Sequence, residues 1–126
     1  MAVVSAARLG GRVFLDTSVL LAGMIDIGPA SAPSQRLLDL LARPRSPFRP
    51  ATAWRCCLES YAVSTRLPEE YRLDPASAVE LLESEVLGRM EIYDLPGARR
   101  GPLLRRSAQA GVRGCRLYDA HIAEVA

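Results

Sequence analysis

Short apolar segments alternate along this chain with longer segments of helical periodicity, and this alternation constrains its fold most strongly. Residues 12–15 and 90–93 each predict a short strand, because brief apolar runs of this kind are typical of strands buried in a parallel sheet. Residues 48–51 predict a third strand, which Pro50 restricts to an edge or a strand end. Strands separated by helices predict an α/β fold, and we expect three αβα layers with a short central parallel sheet and helices on both faces.

The predicted helices have recognisable start signals. The first follows Asp16, and its neighbours Thr17 and Ser18 also have side chains that cap helices. Another begins at Pro75 after Asp74, which is a capping residue followed by proline in the first turn. In the second helix, the expected core side consists of four leucines, Leu37, Leu38, Leu40 and Leu41. The predicted helices cover residues 19–24, 32–42, 52–66, 75–87, 98–110 and 118–125. The third is indicated by residues that recur at three- and four-residue spacing, Trp54, Leu58, Tyr61, Ala62 and Thr65.

Length and composition fit one globular domain over residues 1–126. The hydrophobic fraction is 49%, which is typical of folded chains, and no apolar run approaches the roughly 18 residues that cross a bilayer. The opening segment only weakly resembles a signal sequence, so we interpret it as a leader into the first strand and expect a cytoplasmic protein. Cys56, Cys57 and Cys115 lack the spacing of metal fingers, and we expect them to be buried, reduced thiols.

Arginine is unevenly distributed in a chain whose net charge is only +2. The basic residues are all arginine, and six of them fall between residues 99 and 116 without an acidic residue among them. This cluster has two interpretations, a solvated helix face and loop, or a surface that contacts phosphates or an acidic partner. The cluster consists of Arg99, Arg100, Arg105, Arg106, Arg113 and Arg116.

Three acidic residues stand where a carboxylate is costly to bury without a positive partner. Asp16 ends an apolar strand, Glu59 lies in the middle of an apolar helix, and Asp119 begins the last helix. Taken singly, each has a plain explanation: a helix cap for the two aspartates and a solvated helix face for the glutamate. If they converge at the carboxyl ends of the strands, they could hold Mg²⁺ or Mn²⁺, which suggests phosphodiester chemistry.

The neighbours of two of these acids indicate where their side chains point. Because Thr17 and Ser18 can cap the first helix, Asp16 is expected to be free to point elsewhere. On a helical wheel, Glu59 is expected between Cys56 and Val63, on the side away from Arg55 and Arg66, where partial burial is possible.

Three stretches contain these acids: VFLDTSVLLAG at residues 13–23, TAWRCCLESYAVSTRL at 52–67 and LYDAHIAEVA at 117–126. In order, they resemble the opening strand with its Asp-Thr turn, the Glu-bearing helix and the Asp-Ala helix start of the PIN-domain ribonucleases. That family includes the VapC-type toxins of bacterial toxin–antitoxin modules. The resemblance covers nearly the whole chain.

The resemblance implies a divalent-metal-dependent endoribonuclease that cleaves single-stranded or structured RNA and is the toxin of a type II toxin–antitoxin pair. Asp16, Glu59 and Asp119 would then be the catalytic residues and the ligands of Mg²⁺ or Mn²⁺. Thr17 or Ser18 would hold a carboxylate or touch the scissile phosphate.

Family resemblance also implies partners other than RNA. We expect the chain to form a homodimer and to bind a cognate antitoxin. We do not expect it to associate with a membrane. The apolar helices predicted at residues 32–42 and 52–66 are the candidate contact surfaces for these proteins.

The family continues past the Asp-Ala helix into a further strand and a fourth acidic residue, whereas this sequence ends at Ala126. We therefore expect a C-terminally truncated PIN-like domain that lacks its last strand or strands, and Glu124 is expected to be a poor substitute for the fourth acid. The alternative is a catalytically inactive or degenerate PIN-like module kept for protein binding. A receiver-like domain phosphorylated on Asp16 is disfavoured, because the chain has no lysine to contact the phosphate.

Overall fold

A computed structural model of the protein describes residues 11–126, so the leader predicted at the start of the chain lies largely outside the described residues. The described part contains three strands, β1 (Arg12–Phe14), β2 (Arg49–Ala53) and β3 (Glu91–Tyr93). Six α-helices and one π-helical turn (Glu83–Leu87) surround them. The helices are α1 (Thr17–Met24), α2 (Ser31–Leu41), α3 (Trp54–Ser64), α4 (Pro75–Leu82), α5 (Gly97–Gln109) and α6 (Arg116–Val125).

The three strands form a parallel sheet in the order β1-β2-β3. Val13 is in register with Pro50, and Thr52 is in register with Ile92. This arrangement confirms the mixed α/β class and the short parallel sheet, and it is compatible with αβα layers. Because the strands are parallel, their carboxyl ends meet at one edge of the sheet, where ligands gather in folds of this class.

Strand β2 is central, so the edge position predicted from Pro50 was wrong, whereas the alternative of a strand end is confirmed, because Pro50 is the second residue of β2. The N–H of Arg49 donates to Gly11 and the carbonyl of Ala51 accepts from Leu15, each over 2.8 Å, so these residues of β2 face β1. Pro50 points the opposite way, toward β3, but the ladder with β3 begins only at Ala51. The N–H that proline lacks is therefore not needed there.

The α3 helix turns its small side chains toward the core and its large ones outward. Its buried residues are Cys56, Cys57, Ser60 and Ser64. Small side chains suit the close packing of α3 on α1 and β2. The exposed residues are the apolar ones whose spacing indicated the helix, Trp54 (43% exposed), Leu58 (46%) and Tyr61 (37%). Thr52 and Ala53, predicted as the start of this helix, belong to β2.

The four leucines of α2 do not all face the core. Leu38 and Leu41 are buried and Leu37 packs partly against the core, but Leu40 is 51% exposed. The prediction for Leu40 was therefore wrong, because a position two residues after Leu38 lies on another side of a helix that turns once per about 3.6 residues.

The cysteines differ in burial. Cys56 and Cys57 are buried and reduced, as expected, and burial raises the pKa of the Cys57 thiol to about 11. Cys115 is exposed, because it lies in the loop before α6, so the expectation of burial was wrong for this residue. Within residues 11–126, no helix has the length and apolar character needed to cross a membrane.

Helices α5 and α6 form a hairpin whose buried residues, Leu103 and Ser107, both belong to α5. Gly111 and Gly114 in the connection have φ of +71° and +59°, a left-handed conformation that glycine adopts readily. No residue of α6 is buried, although Ile122 and Val125 pack partly against the core. Glu124 ties the two helices together through Arg99 at 2.6 Å and Arg106 at 2.8 Å.

Candidate acidic site at the carboxyl end of the sheet

Asp16 is the N-cap of α1. Its Oδ1 atom accepts hydrogen bonds from the N–H of Val19 (3.2 Å) and the hydroxyl of Ser18 (3.0 Å). The expectation that Thr17 and Ser18 would cap the helix and leave Asp16 free was wrong. Both residues already lie within α1, whereas Asp16 has the extended backbone (φ −88°, ψ 176°) that places a side chain over the first N–H groups. Its other oxygen, Oδ2, has no hydrogen-bond partner within residues 11–126.

Thr17 connects the end of β1 to α3. Its hydroxyl donates to Oε2 of Glu59 over 3.0 Å, and the two residues are 42 positions apart in the sequence. Glu59 is half-buried, with 30% of its side chain exposed, which agrees with the partial burial expected from the sequence. Residues from α1 and α3 therefore meet at the carboxyl end of the sheet, where the residue after Asp16 is hydrogen-bonded to Glu59.

Arg55 lies on the same side of α3 as Glu59, contrary to the expectation from the helical wheel. Its Nε atom donates to Oε1 of Glu59 over 3.1 Å. Residues four apart in sequence are neighbours on a helix surface, so the spacing of Arg55 and Glu59 accounts for their contact. Both oxygens of Glu59 are thus engaged, one by Thr17 and the other by Arg55.

The guanidinium of Arg55 also stacks on a residue of α6. Its central carbon lies 4.0 Å from the centre of the Tyr118 ring, a cation–π contact. Asp119 follows Tyr118 in the first turn of α6, whose N-cap is Cys115, so Asp119 does not cap this helix. The Asp119 side chain is exposed. Arg55 therefore links the helix that contains Glu59 to the helix that contains Asp119.

The three predicted acids are brought together only in part. Asp16 and Glu59 are joined through Thr17, whereas Asp119 is related to them only through the Arg55–Tyr118 contact. In the part of the chain that the structure describes, no three His, Cys, Asp or Glu side chains form a group that could hold a metal ion as they stand. The donors suit Mg²⁺ or Mn²⁺ in kind, since both cations prefer carboxylate oxygens.

An apolar groove of about 420 Å³ opens beside Arg55. It lies where β2 and β3 end, because Trp54 and Arg55 directly follow Ala53, and Asp94 and Leu95 directly follow Tyr93. Leu103, Leu104 and Arg100 of α5 and Tyr118 and His121 of α6 complete most of its wall. Trp54, Leu104 and Tyr118 are exposed large apolar side chains.

The arginine cluster is exposed at all six positions. Arg99 and Arg106 pair with Glu124, which therefore holds the α5–α6 hairpin together. That Glu124 is a poor substitute for a fourth acid stays a prediction. Arg100 lines the groove instead. A solvated helix face and loop accounts for the exposure of the six arginines. Arg100 lies near the acidic site as well, because it lines the same groove as Arg55.

Sequence reasoning missed three residues around the acids. Arg55 could have been found from its spacing of four residues to Glu59. Asp94 directly follows β3, as Asp16 closely follows β1, and its Oδ1 lies 3.9 Å from Nε2 of His121. Tyr118 had no sequence signal, because its contact depends on how the α5–α6 hairpin packs.

The chain was also compared with known proteins. No protein-family model matches it, and no curated protein matches it.

Proposed function

We propose that this protein is a PIN-like, divalent-metal-dependent endoribonuclease that cleaves single-stranded or structured RNA as the toxin of a type II toxin–antitoxin pair. The observation that supports this proposal most strongly is the Thr17–Glu59 hydrogen bond at the carboxyl end of the sheet. It joins two of the three stretches that resemble the family, at the edge where parallel sheets bind ligands. The αβα layering that the family implies is part of the proposal.

Asp16, Glu59 and Asp119 are the residues that would hold Mg²⁺ or Mn²⁺. Carboxylate oxygens fit these cations, and the unpartnered Oδ2 of Asp16 is available as a donor. A bound divalent cation supplies an activated water and stabilises charge that develops on the phosphate. Three carboxylates near one another repel, so the cation and the arrangement of the acids are expected to be coupled.

The other residues of the site act by orientation and charge. The hydroxyl of Thr17 donates to Glu59 and that of Ser18 to Asp16, which supports the proposed role of both residues in holding carboxylates. The exposed side chains of Arg100 and Arg105 supply positive charge for the phosphates of an RNA strand.

The proposed protein partners are a second copy of the chain and a cognate antitoxin. The exposed apolar side of α3, formed by Trp54, Leu58 and Tyr61, supports a protein contact, because large exposed apolar patches commonly mark interfaces. The exposed Leu40 extends the same argument to α2.

A second candidate is a catalytically inactive PIN-like module that binds another protein. Two observations favour it: Arg55 neutralises Glu59, and the side chain of Asp119 is exposed without joining the other two acids. This candidate predicts a folded protein that cleaves no RNA at any concentration of divalent cation.

Cleavage of single-stranded RNA by the full chain distinguishes the candidates. The assay compares Mg²⁺ or Mn²⁺ with EDTA and includes Asp16→Asn beside Asp26→Asn, the same change at an exposed aspartate. Asparagine also caps helices well, so Asp16→Asn removes the charge while it preserves the start of α1. We expect metal-dependent cleavage that Asp16→Asn abolishes and Asp26→Asn retains. Absence of cleavage by folded wild-type protein would favour the inactive module.

A further inference from the structure

Arg55 lies next to Glu59, where the proposed divalent cation would bind. Its guanidinium contacts Oε1 of Glu59 at 3.1 Å, while Thr17 occupies Oε2. The charge of the carboxylate is therefore balanced, and each of its oxygens accepts one hydrogen bond, without a metal ion. The side chains of Arg55 and Glu59 are 32% and 30% exposed, so the pair is open to ions from solution.

A divalent cation that binds Glu59 must compete with this arginine. Two positive charges that share one carboxylate repel each other, and the repulsion is larger near a protein surface than in bulk water. A half-exposed ion pair is weak, because solvent screens it, so a cation with further carboxylate ligands can displace it. Asp16 is the sequence neighbour of Thr17, and its Oδ2 atom, which has no hydrogen-bond partner among residues 11–126, is the proposed further ligand.

The guanidinium has a second contact that does not involve the carboxylate. The ring of Tyr118 lies 4.0 Å away, and a cation–π contact of this kind holds an arginine without neutralising its charge. When Glu59 turns toward a metal ion, Arg55 can remain on the ring of Tyr118. A turn of Glu59 would thus release the acid without moving Arg55 off the ring.

We propose that Arg55 is the internal counter-ion of the acidic site, a positioning residue that competes with the divalent cation for Glu59 and so sets the metal concentration at which the site fills. This inference rests on the proposed function, because it presumes that Glu59 is a metal ligand. It predicts that neutral substitution of Arg55 strengthens metal binding, whereas damage to the fold would weaken it.

The test measures Mn²⁺ binding to the full chain at pH 7 by electron paramagnetic resonance, which counts free Mn²⁺ and needs no activity. The variants are Arg55→Gln, Arg55→Lys and Arg66→Gln, the last an exposed arginine that provides the same change in net charge. Arg55→Met is the second neutral variant if Arg55→Gln does not fold. Glu59→Gln identifies the signal that belongs to this site.

We expect Arg55→Gln to bind Mn²⁺ about tenfold more tightly than wild type, while Arg55→Lys and Arg66→Gln stay close to wild type. Equal or weaker binding by both neutral Arg55 variants, in protein that binds Mn²⁺ through Glu59, overturns the inference and leaves the proposed function standing. Failure of every folded variant, including wild type, to bind Mn²⁺ at millimolar concentration overturns both.

Discussion

The hydroxyl of Thr17 donates a hydrogen bond to Glu59 over 3.0 Å and thereby joins α1 to α3. Thr17 follows the residue that caps α1, and Glu59 lies at the sixth position of a helix that begins where β2 ends. Two adjacent parallel strands thus deliver their following helices to one point. Because of this topology, Thr17, the residue after Asp16, reaches Glu59 across 42 positions of sequence.

Thr17→Val is expected to destabilise the protein by about 1–2 kcal/mol. Valine preserves the shape of the side chain, but it leaves a carboxylate oxygen of Glu59 without its donor. Urea denaturation measures the loss, and a double-mutant cycle with Glu59→Met isolates the contact. An equal loss in the Glu59→Met background would show that the hydrogen bond does not contribute.

Asp16→Ala and Asp16→Asn are expected to differ in stability. Alanine removes the cap of α1 and should cost about 1 kcal/mol, whereas asparagine, an equally good cap, should cost a few tenths at most. The free energy of unfolding is measured for both variants, with Asp26→Ala as an exposed control. The capping role is refuted by equal losses for alanine and asparagine.

Leu20→Ala and Leu40→Ala test where the core lies. Leu20 is fully buried, and its truncation should cost about 2–5 kcal/mol through lost burial and a cavity. Leu40 is 51% exposed, so the same truncation should cost less than about 1 kcal/mol. Thermal or urea unfolding of the two variants makes the comparison, and similar losses would contradict the observed orientation of α2.

The α5–α6 hairpin is expected to loosen in acid. A hydrogen bond from Arg106, together with the charges of Arg106 and Arg99, holds the pKa of Glu124 below its ordinary value of 4.5. Because this pKa is lowered by folding, the stabilisation is fully present above pH 4.5 and is lost as the pH falls through the lower folded value.

Hydrogen exchange of α6 amides between pH 6 and pH 3 measures this effect. We expect protection, corrected for intrinsic exchange rates, to fall in wild type, and Glu124→Gln to be weakly protected throughout. Glu80→Gln, at an exposed glutamate of α4, is the matched control and should behave as wild type. A wild-type pH dependence that persists in Glu124→Gln would assign the effect to other groups.

Local sequence patterns predicted the strands and helices well, but they predicted less well how these elements pack. Strand and helix order followed from short apolar runs, capping residues and helical spacing, as at Asp74 and Pro75, where α4 begins. The place of Pro50 in the central strand depends on where the β3 ladder begins, which local sequence does not specify. Spacing likewise found α3 through Trp54 and Leu58 but did not reveal that these residues face outward.

In the candidate site, the sequence likewise identified individual residues but not their tertiary contacts. Asp16 and Glu59 stand out because an acid at a strand end and an acid in an apolar helix need an explanation. Arg55 was misassigned although its spacing to Glu59 is local, whereas the Tyr118 contact arises from tertiary packing of the α5–α6 hairpin. The relation of Asp119 to the other acids depends on that packing as well.

The most direct test of the central claim is RNA cleavage by Glu59→Gln and Asp119→Asn beside wild type, with Glu80→Gln and Asp26→Asn as controls at exposed acids. If the three acids act as one metal site, each site variant should lose metal-dependent cleavage by at least about a hundredfold, which corresponds to about 2.7 kcal/mol, while both controls retain it. Cleavage by Glu59→Gln or Asp119→Asn at the wild-type rate would contradict the account.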